Sequence, residues 1–131
     1  MNILHIKEAN GTVEAVGQRL EEAAKAHKFG VIAVIDLKGK LAEKGVELGS
    51  SACKIYEVCN PVQAKRVLEK DMSIATALPC RIAVYEEKGR VKIATMRPTE
   101  ALGLFSIPEL APVAQEVEKE IKAMMDEASE A

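Results

Sequence analysis

The sequence predicts an α+β domain, and three observations predict it. Val31-Ile32-Ala33-Val34-Ile35 is a continuous apolar run rich in β-branched residues, which reads as a strand buried on both faces. Lys88-Gly89 separates two alternating stretches and reads as the turn of a hairpin. From Leu110 to Ala128 apolar residues return at steps of four and three, the stripe of a long amphipathic helix. Helices between some strands and a hairpin between others give α+β rather than strict alternation around a parallel sheet.

The first strand is expected over Ile3 to Lys7. Asn10-Gly11-Thr12 is a turn whose threonine is placed to cap the next helix. Val13, Val16, Leu20, Ala23 and Ala24 recur at helical spacing and carry that helix to about Lys28. Phe29-Gly30 ends it, since glycine tolerates the left-handed backbone common at helix C-termini. After the apolar strand, Leu37 to Gly49 is polar and punctuated by glycine, with room for one short helical turn. Ser51 to Val58 is the next strand. Asn60-Pro61 starts a helix, with Asn60 as cap, Pro61 at the first helical position, and Ala64, Val67 and Leu68 as its buried stripe.

Pro79-Cys80 opens a strand from Cys80 to Glu87, with Ile82 and Val84 facing one way and Ala83 and Tyr85 the other. Arg90 to Met96 is the return strand of the hairpin, and Arg97-Pro98-Thr99 breaks the pattern before a short helix through Leu104. Ser106-Ile107-Pro108-Glu109 has the spacing of a capping box for the last helix. The stripe of that helix is Leu110, Ala114, Val117, Ile121, Met124 and Ala128. It packs on the sheet, or else it supplies a dimer contact through the same stripe or its edge. The order of the main elements is β-α-β-β-α-β-β-α.

Composition narrows the function classes. With 131 residues, 48% of them hydrophobic and 29% charged, the chain is sized for one domain with its own core, residues 1–131. No apolar run approaches the ~20 residues of a membrane span, and Met1 to Lys7 lacks the pattern of a secretory signal. Residence in the cytoplasm is the expectation. A net charge of −2 with interspersed signs, 3% aromatics and no Trp disfavour nucleic-acid binding. Three cysteines, Cys53, Cys59 and Cys80, are an odd set that reads as reduced thiols rather than a disulfide framework.

No catalytic template is present. Gly39-Lys40 lacks the rest of a phosphate-binding loop, and Ser50-Ser51 has no candidate base near it in sequence. Neither a Gly-x-Ser-x-Gly elbow nor a His-Glu-x-x-His helix occurs. His5 and His27 read as structural rather than as ligands, and Met72, Met96, Met124 and Met125 as core fillers.

Cys59-Asn60-Pro61 after a strand, then Leu78-Pro79-Cys80 leading into a strand that reaches Val84-Tyr85-Glu86, resemble the bacterial and archaeal family catalogued as domain of unknown function 302. Phe29-Gly30-Val31 and Ile35-Asp36 match the helix-to-strand passage of that family. The resemblance covers the chain from about Thr12 to the last helix. It implies a curved, mostly antiparallel sheet backed by helices, of the TATA-binding-protein-like class, and a homodimer. It brings no established activity. The Lys- and Gly-rich stretch from Gly39 to Gly49 departs from the family pattern.

The implied fold makes the strands on either side of the Asn60 helix antiparallel neighbours, so Cys59 and Cys80 fall at the same end of the sheet. Cys59 precedes a helix N-terminus, whose partial positive charge favours thiolate. Against this stands packing, since cysteine is among the most frequently buried residues. Neither spacing matches paired Cys-x-x-Cys zinc ligation, so Cys59 and Cys80 as metal or haem ligands would need a further donor. Cys53 lies outside the shared motif and reads as packing.

Three functions compete. The first is a small dimeric module binding a ligand, metal or haem at the end of the sheet that carries Cys59, Asn60 and Cys80. The second is a structural or regulatory protein-interaction module with packing cysteines. The third is a thiol-based redox enzyme or sensor, with Cys59 attacking and Cys80 resolving, which requires their Cα atoms within ~7 Å. The sequence leaves the cofactor and the ligand unidentified.

Overall fold

The computed structural model describes residues 2–49 and 52–130. Ser50 and Ser51, and with them the expected start of the third strand and the serine pair, lie outside the described residues, as does Met1. The elements are β1 (Leu4–Ala9), α1 (Val13–Ala26), β2 (Gly30–Asp36), α2 (Leu37–Glu43), β3 (Cys53–Cys59) and α3 (Pro61–Lys70). A 3-10 turn over Met72–Ala77 leads to β4 (Cys80–Glu87), β5 (Arg90–Met96) and α4 (Pro98–Gly103). A second 3-10 turn, Pro108–Leu110, precedes α5 (Ala111–Ser129). The predicted α+β class and the order of its main elements hold. Two-turn α2 stands where one short helical turn was expected.

The five strands form one sheet in the order β1-β5-β4-β3-β2, with every neighbouring pair antiparallel. Alternation along the strands sends Tyr56, Val58, Ile82, Val84, Val91 and Ile93 to one face, where they join the buried stripes of α1 and α5 in a single core. Val16, Leu20, Ile121, Met124 and Met125 are fully buried in it. The α5 stripe therefore packs on the chain's own sheet and is unavailable to a second copy. Ile6, Ile35, Ile55, Ala83, Tyr85 and Ala94, on the opposite face, take no part in the core.

Local chemistry explains most boundaries. Thr12 caps α1 by accepting from Ala15 N at 3.1 Å, and Asn60 caps α3 by accepting from Val62 N and Gln63 N at 3.1 and 3.2 Å. Lys88 and Gly89 both take positive φ, 53° and 77°, the backbone of a two-residue hairpin turn whose twist matches the strands.

Four expectations are corrected. The residue that takes the left-handed conformation after α1 is Lys28, at φ 65°, while Gly30 begins β2. The apolar β2 is an edge strand rather than one buried on both faces: Ile32, at a register shift between Val31 and Ala33, is 62% exposed, and Val34, at the sheet's outer margin, 44%. The Ser106–Glu109 capping box does not form: Ser106 sits at φ 55°, outside the extended region a cap needs, and Pro108 starts a 3-10 turn instead. Met124 and Met125 fill the core as expected, but Met72 and Met96 are 70% and 52% exposed.

Candidate functional site

The end of the sheet where β3 finishes and β4 begins carries a cavity of about 570 Å³. Val58 and Cys80 are a registered pair across the two strands, and Cys59 and Asn60 follow Val58 directly. Both thiols line the cavity. Its remaining wall comes from Gln63, Ala64 and Val67 of α3, Thr76 and Ala77 of the 3-10 turn, and Leu78-Pro79. Pro98, Ala101 and Leu102 of α4, Leu104 and Phe105 beyond it, Phe29, and Val113 and Val117 of α5 complete it. The mouth carries exposed Leu104 (82%) and Met96 (52%), with Arg81, paired to Glu57, at its rim.

Each wall is fixed by polar contacts outside the apolar space. The Asn60 cap sets the start of α3. Asp71 Oδ1 accepts from Ser73 N at 2.8 Å and from Ser73 Oγ at 2.6 Å, which starts the 3-10 turn. Glu118 of α5 ties down α4 by accepting from Thr99 N at 3.0 Å, Thr99 Oγ1 at 2.7 Å and Arg97 Nε at 3.2 Å. Lys122 Nζ lies 3.2 Å from the same carboxylate. Burial works against ionisation of Glu118, yet the hydrogen bonds from Thr99, Lys122 and Arg97 outweigh it and hold the carboxyl down at about 2.

The thiols follow the opposite logic. Burial, reinforced by nearby Cys59, pushes the Cys80 thiol up to about 11. Burial pushes Cys59 up as well, so the acidification expected from the helix N-terminus is overridden by loss of solvation. At neutral pH both are protonated, weakly polar wall groups rather than thiolate nucleophiles or ligands. All three cysteines are free, and Cys53 lies at the far end of β3 with its thiol raised by burial and by Asp36.

Among the described residues no group of three or more His, Cys, Asp or Glu could hold a metal ion, so no histidine or carboxylate joins Cys59 and Cys80 there. The histidines lie away from the cavity. His27 is bridged between two carboxylates of α5, Glu120 at Nδ1 and Glu127 at 2.6 Å from Nε2. His5 Nε2 is buried without a hydrogen-bond partner among the described residues, and its pKa is lowered by burial and then by Lys122.

The sequence pointed to Cys59, Asn60 and Cys80, and the structure brings all three to one cavity. It did not point to Phe29, Ala77, Ala101, Leu104 or Phe105, which come from segments remote in sequence. The one local signal available was Pro79 and Pro98, two breaks at the cavity wall, the first just after the 3-10 turn and the second at the start of α4.

No helix among the described residues is long and apolar enough to cross a membrane. Comparison with curated proteins gives no match. Residues 5–128 match the family described as Domain of unknown function DUF302. Among solved structures, the chain is similar to the crystal structure of an uncharacterized conserved protein DUF302 from Bacillus stearothermophilus. The two share 33% sequence identity over 98% of this chain and 99% of that one, with a TM-score of 0.93.

Proposed function

We propose, for a chain that belongs to the DUF302 family, a small-molecule-binding module whose ligand enters the apolar cavity at the Cys59–Cys80 end of the sheet. One observation carries this reading: a cavity of about 570 Å³, the size of a small-molecule site, is walled mostly by apolar side chains from four helical segments, three strands and the loops between them. Cys59 and Cys80 serve as neutral, polarizable wall. Asn60 holds the start of α3 against the opening. Metal, haem and thiol-redox readings draw no support from two protonated thiols joined by no histidine or carboxylate among the described residues.

The test is a fluorescence titration with Nile red, an uncharged apolar dye, on wild type and on Ala101→Trp, which fills the space from α4. Saturable binding by wild type, weakened about tenfold or more in the folded variant, is expected, since a filled cavity loses the contacts that hold the dye. Equal binding by both would place the dye elsewhere and remove the reading.

A homodimer formed through the uncovered face of the sheet accompanies it, on a separate observation. Leu4 and Ile6 are 40% and 50% exposed there, beside Met96, which this face shares with the cavity mouth. The charged side chains of that face pair within one copy: Arg81 with Glu57, Lys92 with Glu87 and Arg90 with Glu8, each at 3.1 Å. A face that is apolar and internally neutralised meets a second copy of itself without like-charge repulsion.

A further inference from the structure

The reading of the cavity as a binding site leaves the ligand's chemistry open, and the polar groups around it narrow that chemistry. Among the described residues that line it there is no Lys, Asp or Glu. The one formally charged group, Arg81, directs Nε to Glu57 Oε2 at 3.1 Å, so its charge is already met at the rim. Thr76 Oγ1 donates to Ser73 O at 2.8 Å. The side-chain oxygens of both amides are engaged, that of Asn60 by Val62 N and Gln63 N, and that of Gln63 by Arg66 Nη1 at 2.8 Å. Their amide nitrogens remain as neutral donors. The two thiols, kept protonated by burial, add no charge.

An ion taken into such a space loses its hydration and meets no opposite charge in return, which is prohibitive in an apolar surrounding. An ionic headgroup left at the mouth keeps its hydration but gains no opposite charge, because the Arg81–Glu57 pair is already neutral as a whole, and its tail is held that much farther out of the cavity. A single hydroxyl or carbonyl oxygen, by contrast, finds an amide N–H at the α3 end of the wall. We infer that the cavity prefers uncharged lipophilic molecules carrying one neutral oxygen, such as long-chain alcohols or ketones, over the fatty acids and alkylammonium ions of the same length. This inference rests on the binding reading and sharpens it, since a generic apolar pocket would take an amphiphile of any charge.

Competitive displacement of Nile red tests it. Decanol, decanoate and decylammonium are titrated against the dye bound to the wild-type protein at neutral pH, where the acid and the amine are both ionised. Decanol is expected to displace the dye at a concentration about tenfold or more below either ion, because only the ions carry a desolvation penalty the wall does not offset. A smaller preference, or a preference for either ion, overturns the inference while leaving the binding reading in place. Arg81→Gln supplies the second measurement: decanol displacement is expected to be unchanged, and a loss of decanoate displacement in this variant would show Arg81 receiving a carboxylate and contradict the inference. Failure of wild type to bind Nile red at all removes the binding reading, and the inference with it.

Discussion

At Cys80, burial and the neighbouring Cys59 push the thiol up to about 11, so the reactive thiolate is scarce at neutral pH. Alkylation of Cys80 by iodoacetamide at neutral pH is therefore expected to run about tenfold or more below the rate of a free cysteine, and to rise steeply only in strongly alkaline solution. Rapid neutral labelling, followed by peptide mass spectrometry, would contradict the dry environment assigned to it. His27 behaves oppositely. Hydrogen bonds from its ring to Glu127 and Glu120 raise its pKa above the ordinary 6.5, so the folded state favours imidazolium. Its contribution to stability is complete below pH 6.5 and is lost as pH rises through the raised folded value. His27→Ala should lower the unfolding free energy by about 1 kcal/mol in mildly acidic urea melts and by less at alkaline pH. Equal loss at both would remove the ion-pair account. The cap at Asn60 was legible in the sequence because capping is local chemistry. The direction of the Cys59 shift was not, because burial is set by α4 and the 3-10 turn, which the Cys-Asn-Pro triplet does not reveal.

The helix pair α4–α5 hangs on Glu118, which is 8% exposed and meets Thr99, Arg97 and Lys122. Its carboxyl is held at about 2, below the ordinary 4.5, so its stabilisation is present above pH 4.5 and is lost as pH falls toward 2. Glu118→Ala should cost about 2 kcal/mol at neutral pH, since it leaves the Thr99 amide without its acceptor and removes one of the partners of half-buried Arg97, and the loss should shrink in acid. Because α4 walls the cavity, the same variant should also bind Nile red more weakly; thermal melts and dye titration report the two effects separately. Gly17 holds a comparable place in α1. A Cβ there would come within 1.8 Å of the Tyr56 hydroxyl, and Tyr56 is only 3% exposed, so it has little room to move aside. Gly17→Ala should destabilise by about 1–2 kcal/mol despite its better helix propensity, measured by urea unfolding. The helix itself was legible from Val13, Val16 and Leu20, but the need for glycine at its contact with β3 was not, because Tyr56 lies 39 positions further along. Ser106 and Glu109 show the reverse failure: a valid local pattern overridden when the chain turned left-handed at Ser106 to enter the second 3-10 turn.

For the whole molecule, the uncovered sheet face and the cavity make separate claims. Ile6→Glu puts a charge into the exposed apolar patch at the β1 edge of the open face and should turn a sedimenting dimer into a monomer with little change in fold. A wild type that sediments as a monomer at all accessible concentrations would contradict the dimer. The sheet's existence and antiparallel character were legible through strand patterns, the Lys88-Gly89 turn and the family motifs. The cavity was legible only in part: the two cysteines marked the correct end of the sheet, while its shape depends on Phe29, Ala101, Leu104 and Phe105 converging from distant segments. The central claim is that this convergence makes a ligand site. The most direct test is a set of amide correlation spectra of the labelled wild-type protein titrated with decanol. Progressive shifts centred on Cys59, Ala64, Leu78, Cys80 and Ala101 are predicted; shifts confined to Ile6, Ile55 and Ala94 on the open face, or no shifts at all, would contradict it.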